Sequence, residues 1–95
     1  MNQRQLIVCE EARQLVADGA HLVDVRTPRE YAQDALPGAV NVPLQNLLVG
    51  IQQLEKDKPI ILYCASGMRS QQASQALSIF GHAAVHDLGG LRNCQ

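Results

Sequence analysis

The chain has 95 residues, of which 46% are hydrophobic and 18% charged, and its formal net charge is −1. This size and composition predict one globular domain over residues 1–95 with a modest core. The sequence has no basic block and no apolar run of membrane-spanning length. We therefore expect neither nucleic acid nor membrane among its partners.

The start of the chain and its cysteine count both predict a cytoplasmic protein. Residues 1–5 lead into a short apolar stretch and lack the apolar core of a signal peptide. The three cysteines are an odd number, which excludes a closed set of internal disulfides and agrees with a reducing compartment. Cys9 is interpreted as structural and Cys94 as mobile. Two alternatives stay open, a redox role for Cys9 and a disulfide between Cys94 and Cys64.

Strand and helix patterns alternate along the chain, which predicts an α/β fold with a central parallel sheet of five strands and helices on both faces. The predicted strands cover residues 6–8, 22–26, 40–42, 59–63 and 84–87. Between the first two strands, a helix that ends at Gly19 carries its apolar face on Ala12, Leu15 and Val16.

Three more helices are predicted after the second strand. The first is short, because it begins at a capping box formed by Thr27, Pro28 and Glu30 and is broken at Pro37. The next follows Pro43, with a predicted buried stripe of Leu44, Leu47, Leu48, Ile51 and Leu54. The last begins near Met68, ends at Gly81 and has apolar residues at helical spacing, which are Ala73, Ala76, Leu77 and Phe80.

A cysteine stands where the fourth strand gives way to the last helix. Cys64 is followed by a loop of small residues with one arginine, Ala65, Ser66, Gly67, Met68, Arg69 and Ser70. Backbone N–H groups in such a turn face inward, and those of the first helical turn lack internal partners. With the helix dipole they make a site for negative charge, so we expect Cys64 to be stabilised there as a reactive thiolate.

Other polar residues are expected around this cysteine. Arg69 supplies a positive charge that can hold an anion, and the hydroxyls of Ser66 and Ser70 can donate to it, although Ser70 can equally bond its own helical turn. Arg26, Cys64 and Asp87 each fall at the carboxyl end of a predicted strand, where ligands bind in doubly wound sheets. Asp24 lies inside an apolar strand and needs a partner, so we interpret Asp24 and Arg26 as support for the surrounding loops.

The spacing of the loop indicates what it can hold. Four residues separate Cys64 from Arg69, whereas the phosphate-binding loops of tyrosine phosphatases and small arsenate reductases resemble Cys-x5-Arg. The shorter loop is too tight for a phosphoryl group on sulfur and suits one extra sulfur atom, which makes Cys64 a candidate persulfide carrier. A Cys64–His86 dyad, with the histidine as base, is a further alternative.

At these residues the chain resembles a single-domain rhodanese. Cys64, Gly67, Arg69 and Ser70 match the family's Cys-x-x-Gly-x-Arg-Ser active-site loop. Residues 24–31 match its Asp-Val-Arg-x-x-x-Glu-Tyr/Phe segment, residues 37–43 its Pro-Gly-Ala-x-Asn-x-Pro segment, and residues 88–90 its closing double-glycine turn. The family's Gly-His pair before the second segment is replaced by Asp34 and Ala35.

The resemblance implies a rhodanese-like fold and a sulfurtransferase of the thiosulfate:cyanide type. Cys64 would be catalytic, residues 65–70 would hold its persulfide, and Arg69 would bind the sulfonate of the donor. The implied donor is thiosulfate or a persulfide, and the implied acceptor is cyanide, glutathione, thioredoxin or another protein thiol. No metal and no cofactor are implied. The alternative is a non-catalytic persulfide carrier or sensor that acts only with a protein partner.

Overall fold

In a computed structural model of the protein, which describes residues 6–82 and 84–95, the strands form one parallel sheet. In this described part of the chain the four strands are β1 (His21–Asp24), β2 (Val40–Asn41), β3 (Ile60–Cys64) and β4 (Val85–Gly90), and their order across the sheet is β2-β1-β3-β4. All three neighbouring pairs are parallel. The predicted α/β fold with a parallel sheet is therefore confirmed.

The predicted strand over residues 6–8 is wrong. Leu6 makes one parallel bridge to Asp87, and the Ile7 N–H donates to the Asp87 carbonyl at 3.0 Å. Val8 is already the N-cap of the first helix, so the chain leaves the sheet edge after a single pairing. Within the described residues the sheet consequently has four strands rather than five.

Within residues 6–82 and 84–95, four α-helices lie between and beside the strands. They are α1 (Cys9–Ala17), α2 (Pro28–Gln33), α3 (Leu47–Ile51) and α4 (Met68–Ile79), with short 3-10 helices at Leu44–Asn46 and Leu91–Cys94. The capping box of α2 is confirmed, because the Glu30 N–H donates to Thr27 Oγ1 at 3.2 Å and the Thr27 N–H donates to Glu30 Oε1 at 3.1 Å. No helix in the described part of the chain is long and apolar enough to cross a membrane.

Two residues assigned to buried helix faces are exposed. Leu47 and Ile51 of α3 are buried, but Leu48 is 39% exposed because adjacent helical residues point about 100° apart. Phe80 is 65% exposed and lies just beyond the last residue of α4. The predicted buried faces of α3 and α4 are therefore correct except at Leu48 and Phe80.

The core lies on both faces of β3, whose five residues are all buried. Ile60, Leu62 and Cys64 face a cluster that includes residues of α3 and α4, whereas Ile61 and Tyr63 face a cluster that includes Ala12 of α1. This alternation follows from the two-residue period of a strand. A strand covered on both faces reads as a continuous apolar run, which is why residues 59–63 were recognisable from the sequence.

A disulfide joins the first residue of α1 to the last residue of the second 3-10 helix. Cys9 and Cys94 are bonded, with their Cα atoms 5.2 Å apart, and Cys64 is a free thiol. The expectation of a mobile Cys94 is therefore wrong, as is the alternative of a Cys94–Cys64 bond. Three cysteines accommodate one disulfide and one free thiol, so their odd number by itself does not indicate a reducing compartment.

Candidate active site

The thiol of Cys64 lies at the bottom of the strand-to-helix turn, as predicted. Cys64 is the last residue of β3 and is fully buried. The backbone N–H groups of Gly67 and Ser70 donate to its Sγ at 3.0 and 3.3 Å. These are an N-cap and a first-turn N–H group of α4, so the sulfur takes the place of a side-chain cap.

The shape of the turn depends on two glycines. Gly67 has φ +103°, a conformation that side-chain-bearing residues rarely adopt. A Cβ placed on Gly90, which pairs with Cys64 in the sheet, would lie 2.8 Å from the carbonyl oxygen of Ala65. Any other residue at position 90 would push the loop away from β4. Of the alternatives for Ser70, the structure favours the helical one, because its Oγ donates to the Gly67 carbonyl at 3.1 Å.

Arg69 is engaged in an ion pair that the sequence did not reveal. Its Nη1 and Nη2 donate to the Oε1 and Oε2 atoms of Glu30 at 2.7 and 3.0 Å. The hydrogen bonds from Arg69, reinforced by the Thr27 N–H, lower the pKa of Glu30 to about 2. The same pair raises the pKa of Arg69. Glu30 was recognised only as a capping residue, and nothing in its local sequence pointed to Arg69.

Asp24 and Arg26 form a buried pair, which confirms that Asp24 has the partner it needs. The Arg26 Nε lies 3.0 Å from both carboxylate oxygens of Asp24, and Nη2 lies 2.7 Å from Oδ2. Nη1 donates to Asp34 Oδ1 at 3.2 Å, and Nη2 donates to the Asp34 carbonyl. These hydrogen bonds raise the pKa of Arg26. Asp34, which stands in the resembled family's Gly-His segment, thus ties the end of α2 to the site.

The ring of Tyr63 lies under this pair. The Arg26 guanidinium carbon is 5.7 Å from the ring centroid, and the Leu36 N–H donates to the Tyr63 hydroxyl at 3.0 Å. Burial raises the pKa of Tyr63 to about 12, so the ring stays neutral at physiological pH. Arg26 therefore contacts Tyr63 of β3, its carboxylate partner Asp24, and Asp34 at the end of α2. It holds these three segments together near Cys64.

Replacing Arg26 should destabilise the fold. We expect Arg26→Met to lower the free energy of unfolding by about 3 kcal/mol, because it leaves Asp24 buried without its countercharge. Urea unfolding followed by circular dichroism measures this change. Arg29→Met is the matched control, since Arg29 is an exposed arginine of α2. If both variants lost the same free energy of unfolding, the buried pair of Asp24 and Arg26 would not stabilise the fold more than an exposed arginine does.

Two other residues predicted near Cys64 lie elsewhere. His86 pairs with Ile61 in the middle of the sheet, whereas Cys64 pairs with Gly90. Three residues of strand correspond to roughly 10 Å, so the alternative of a Cys64–His86 dyad is wrong. Asp87 is not at a strand end, because β4 continues to Gly90, and its Oδ1 accepts from the Gly89 N–H at 2.9 Å.

A groove of about 800 Å³ opens beside the loop. Its walls include Ala65, Ser66, Arg26, Asp34, Arg92 and Asn93. Part of the wall is the 3-10 helix Leu91–Cys94, which is held by the disulfide and by a hydrogen bond from the Asn93 amide to the Leu88 carbonyl. The carboxyl end of the sheet therefore carries both the thiol and an open polar groove, as expected for ligand sites in parallel sheets.

Comparison with known proteins gives consistent matches. The family model described as "Rhodanese-like domain" matches residues 8–94. A sulfurtransferase of Allochromatium vinosum is 39% identical over 69 residues, which cover 73% of this chain and 64% of that protein. Thiosulfate sulfurtransferase PspE of Escherichia coli is 37% identical over 75 residues, which cover 77% and 72%. Human single-domain sulfurtransferase TSTD1 superimposes with a TM-score of 0.78 at 29% identity and covers 96% and 95%.

Proposed function

The chain belongs to the rhodanese-like domain family, and from this membership we propose that it transfers sulfane sulfur through a persulfide on Cys64. The observation that carries the proposal is the pair of N–H groups, from Gly67 and Ser70, that donate to the free Cys64 sulfur. Relatives named sulfurtransferase and thiosulfate sulfurtransferase support the same chemistry.

The proposed reaction has two displacement steps. The Cys64 thiolate attacks the outer sulfur of thiosulfate, the sulfur–sulfur bond of the donor breaks, and its electron pair leaves with sulfite. The product is a Cys64 persulfide whose terminal sulfur carries the negative charge. An acceptor such as cyanide or a thiolate then attacks that terminal sulfur and releases the Cys64 thiolate. This is ping-pong covalent catalysis with no net change in the enzyme.

The remaining residues have supporting roles in the proposal. The loop from Ala65 to Ser70 surrounds the persulfide, with its N–H groups as donors to the terminal sulfur. Arg69 binds the anionic end of the donor, and Asp24 and Arg26 keep the neighbouring loops in place. The proposed acceptors are glutathione, thioredoxin or another protein thiol, and the proposed class is a thiosulfate sulfurtransferase of the rhodanese type.

A persulfide carrier that works only with a protein partner is the second candidate. The engagement of Arg69 by Glu30 favours it, since the guanidinium is compensated before an anionic donor such as thiosulfate arrives. This candidate predicts persulfide formation from a protein persulfide and negligible turnover of thiosulfate with cyanide.

Intact mass spectrometry tests the proposal directly. After incubation with thiosulfate, the protein should gain about 32 Da, the mass of one sulfur, and lose it again on addition of cyanide. Cys64→Ala should show no gain. A gain only with a cysteine-desulfurase persulfide or a polysulfide would select the carrier. The absence of a gain with every donor would refute sulfur transfer at Cys64.

The cytoplasmic location stays a prediction. The Cys9–Cys94 disulfide weighs against it, because disulfides persist mainly in oxidising compartments. Fractionation of cells that express the native gene, followed by immunoblotting, tests the prediction.

A further inference from the structure

We propose that Glu30 selects among sulfur donors: by pairing with Arg69 it weakens the binding of dianionic donors such as thiosulfate relative to donors of lower charge. This inference rests on the proposed function, because it concerns the donor of the Cys64 persulfide. The observation behind it is the bidentate pair, in which both carboxylate oxygens of Glu30 accept from the two terminal nitrogens of Arg69.

The pair is fixed in place from the side of Glu30. Its Oε1 accepts from the backbone N–H and the hydroxyl of Thr27, both at 3.1 Å, as well as from Arg69. Glu30 therefore belongs to the capping box of α2, and its carboxylate has little freedom to turn away. Most exposed ion pairs lose much of their energy in ordering two flexible side chains, and this one avoids part of that loss on the Glu30 side.

The pair is also partly buried. The side chains of Arg69 and Glu30 are 34% and 31% exposed. The low pKa of Glu30, about 2, keeps the carboxylate ionised throughout the physiological range. The carboxylate charge consequently accompanies Arg69 at every pH at which the protein would work, and it is less screened than a charge on an open surface.

Because Glu30 neutralises the charge of Arg69, the loop attracts a donor anion less strongly. After Glu30, the charge of Cys64 also contributes to raising the pKa of Arg69, so the guanidinium lies near the sulfur and a donor that reaches the sulfur meets the pair. Arg26 is likewise compensated, by Asp24 and Asp34. The attraction that Arg69 exerts on a donor anion is therefore weakened, and the loop N–H groups and Arg92, which lines the groove, add to it. Repulsion from the Glu30 carboxylate grows in proportion to the charge of the donor.

Glu30→Gln removes this charge and preserves the capping box, because glutamine at this position can accept the same hydrogen bond from the Thr27 N–H. Glu11→Gln is the matched control. Glu11 occupies the same capping-box position in α1, where its Oε1 accepts from the Val8 N–H at 3.4 Å, and the substitution changes the net charge equally.

The measurement is the rate of Cys64 persulfide formation against donor concentration, followed by mass spectrometry without an acceptor. Two donors with the same transferable sulfur are compared, thiosulfate with two negative charges and benzenethiosulfonate with one. For Glu30→Gln we expect the half-saturating concentration to fall about fivefold for thiosulfate and about twofold for benzenethiosulfonate, because the repulsive energy scales with donor charge. Glu11→Gln should behave as the unmodified protein, and all variants should have similar melting temperatures.

A double-mutant cycle that combines Glu30→Gln with Arg69→Gln tests whether Glu30 affects donor binding through Arg69. Arg69→Gln alone should raise the half-saturating concentration of thiosulfate. Two outcomes would overturn the inference about Glu30: persulfide formation with equal changes for both donors, or a Glu30→Gln profile identical to that of Glu11→Gln. If neither donor adds sulfur to any variant, the proposed function fails and this inference fails with it.

Discussion

Replacement of Cys64 by serine or alanine is expected to abolish sulfur transfer and to leave the fold nearly intact. A serine hydroxyl can accept hydrogen bonds from the Gly67 and Ser70 N–H groups, as Sγ does, but it cannot carry a sulfane sulfur. We expect the free energy of unfolding of Cys64→Ser to change by no more than about 1 kcal/mol. Turnover of thiosulfate with cyanide and thermal unfolding measure the two effects.

The control for this prediction is the double variant Cys9→Ala/Cys94→Ala, studied below its melting temperature. It removes the other two cysteines, so any sulfur that it still acquires must reside on Cys64. Full activity of Cys64→Ser would contradict the assignment of the nucleophile. If Cys64→Ser is inactive because it unfolds, the Cys64→Ala variant decides the assignment. That variant should remain folded and inactive.

The second large effect is expected from the disulfide. Cys9 and Cys94 are 85 residues apart, so their bond closes almost the whole chain into a loop. Chain entropy in the unfolded state then predicts a contribution of about 4.5 kcal/mol to stability. We expect Cys9→Ala/Cys94→Ala, and the unmodified protein after reduction, to lose a similar amount in urea unfolding.

Two comparisons make this prediction specific. Adding a reductant should destabilise the unmodified protein and Cys64→Ala equally, because Cys64 takes no part in the bond. The reductant should leave Cys9→Ala/Cys94→Ala unchanged. If the oxidised and reduced forms of the unmodified protein unfolded at the same urea concentration, the disulfide would have no stabilising role.

Short-range features were predicted well from the sequence. The capping box at Thr27 and Glu30 involves residues three apart, and both of its hydrogen bonds are present. The strand that ends at Cys64 was recognisable because five consecutive buried residues leave an apolar run. Phe80 and the residues 6–8 were mispredicted because periodicity identifies an apolar face but not where an element stops.

In the candidate site, too, local features could be predicted from the sequence and long-range contacts could not. The order strand, Cys64, small-residue loop and helix is contiguous in the chain, so the sequence by itself determined that the thiol lies at the strand-to-helix turn, within reach of backbone N–H groups there. Only the tertiary structure decided what surrounds that loop. Glu30 reaches Arg69 across 39 residues, and Cys9 reaches Cys94 across 85. Neither pairing leaves a local pattern, because contacts between distant residues depend on how the helices and loops pack around the sheet.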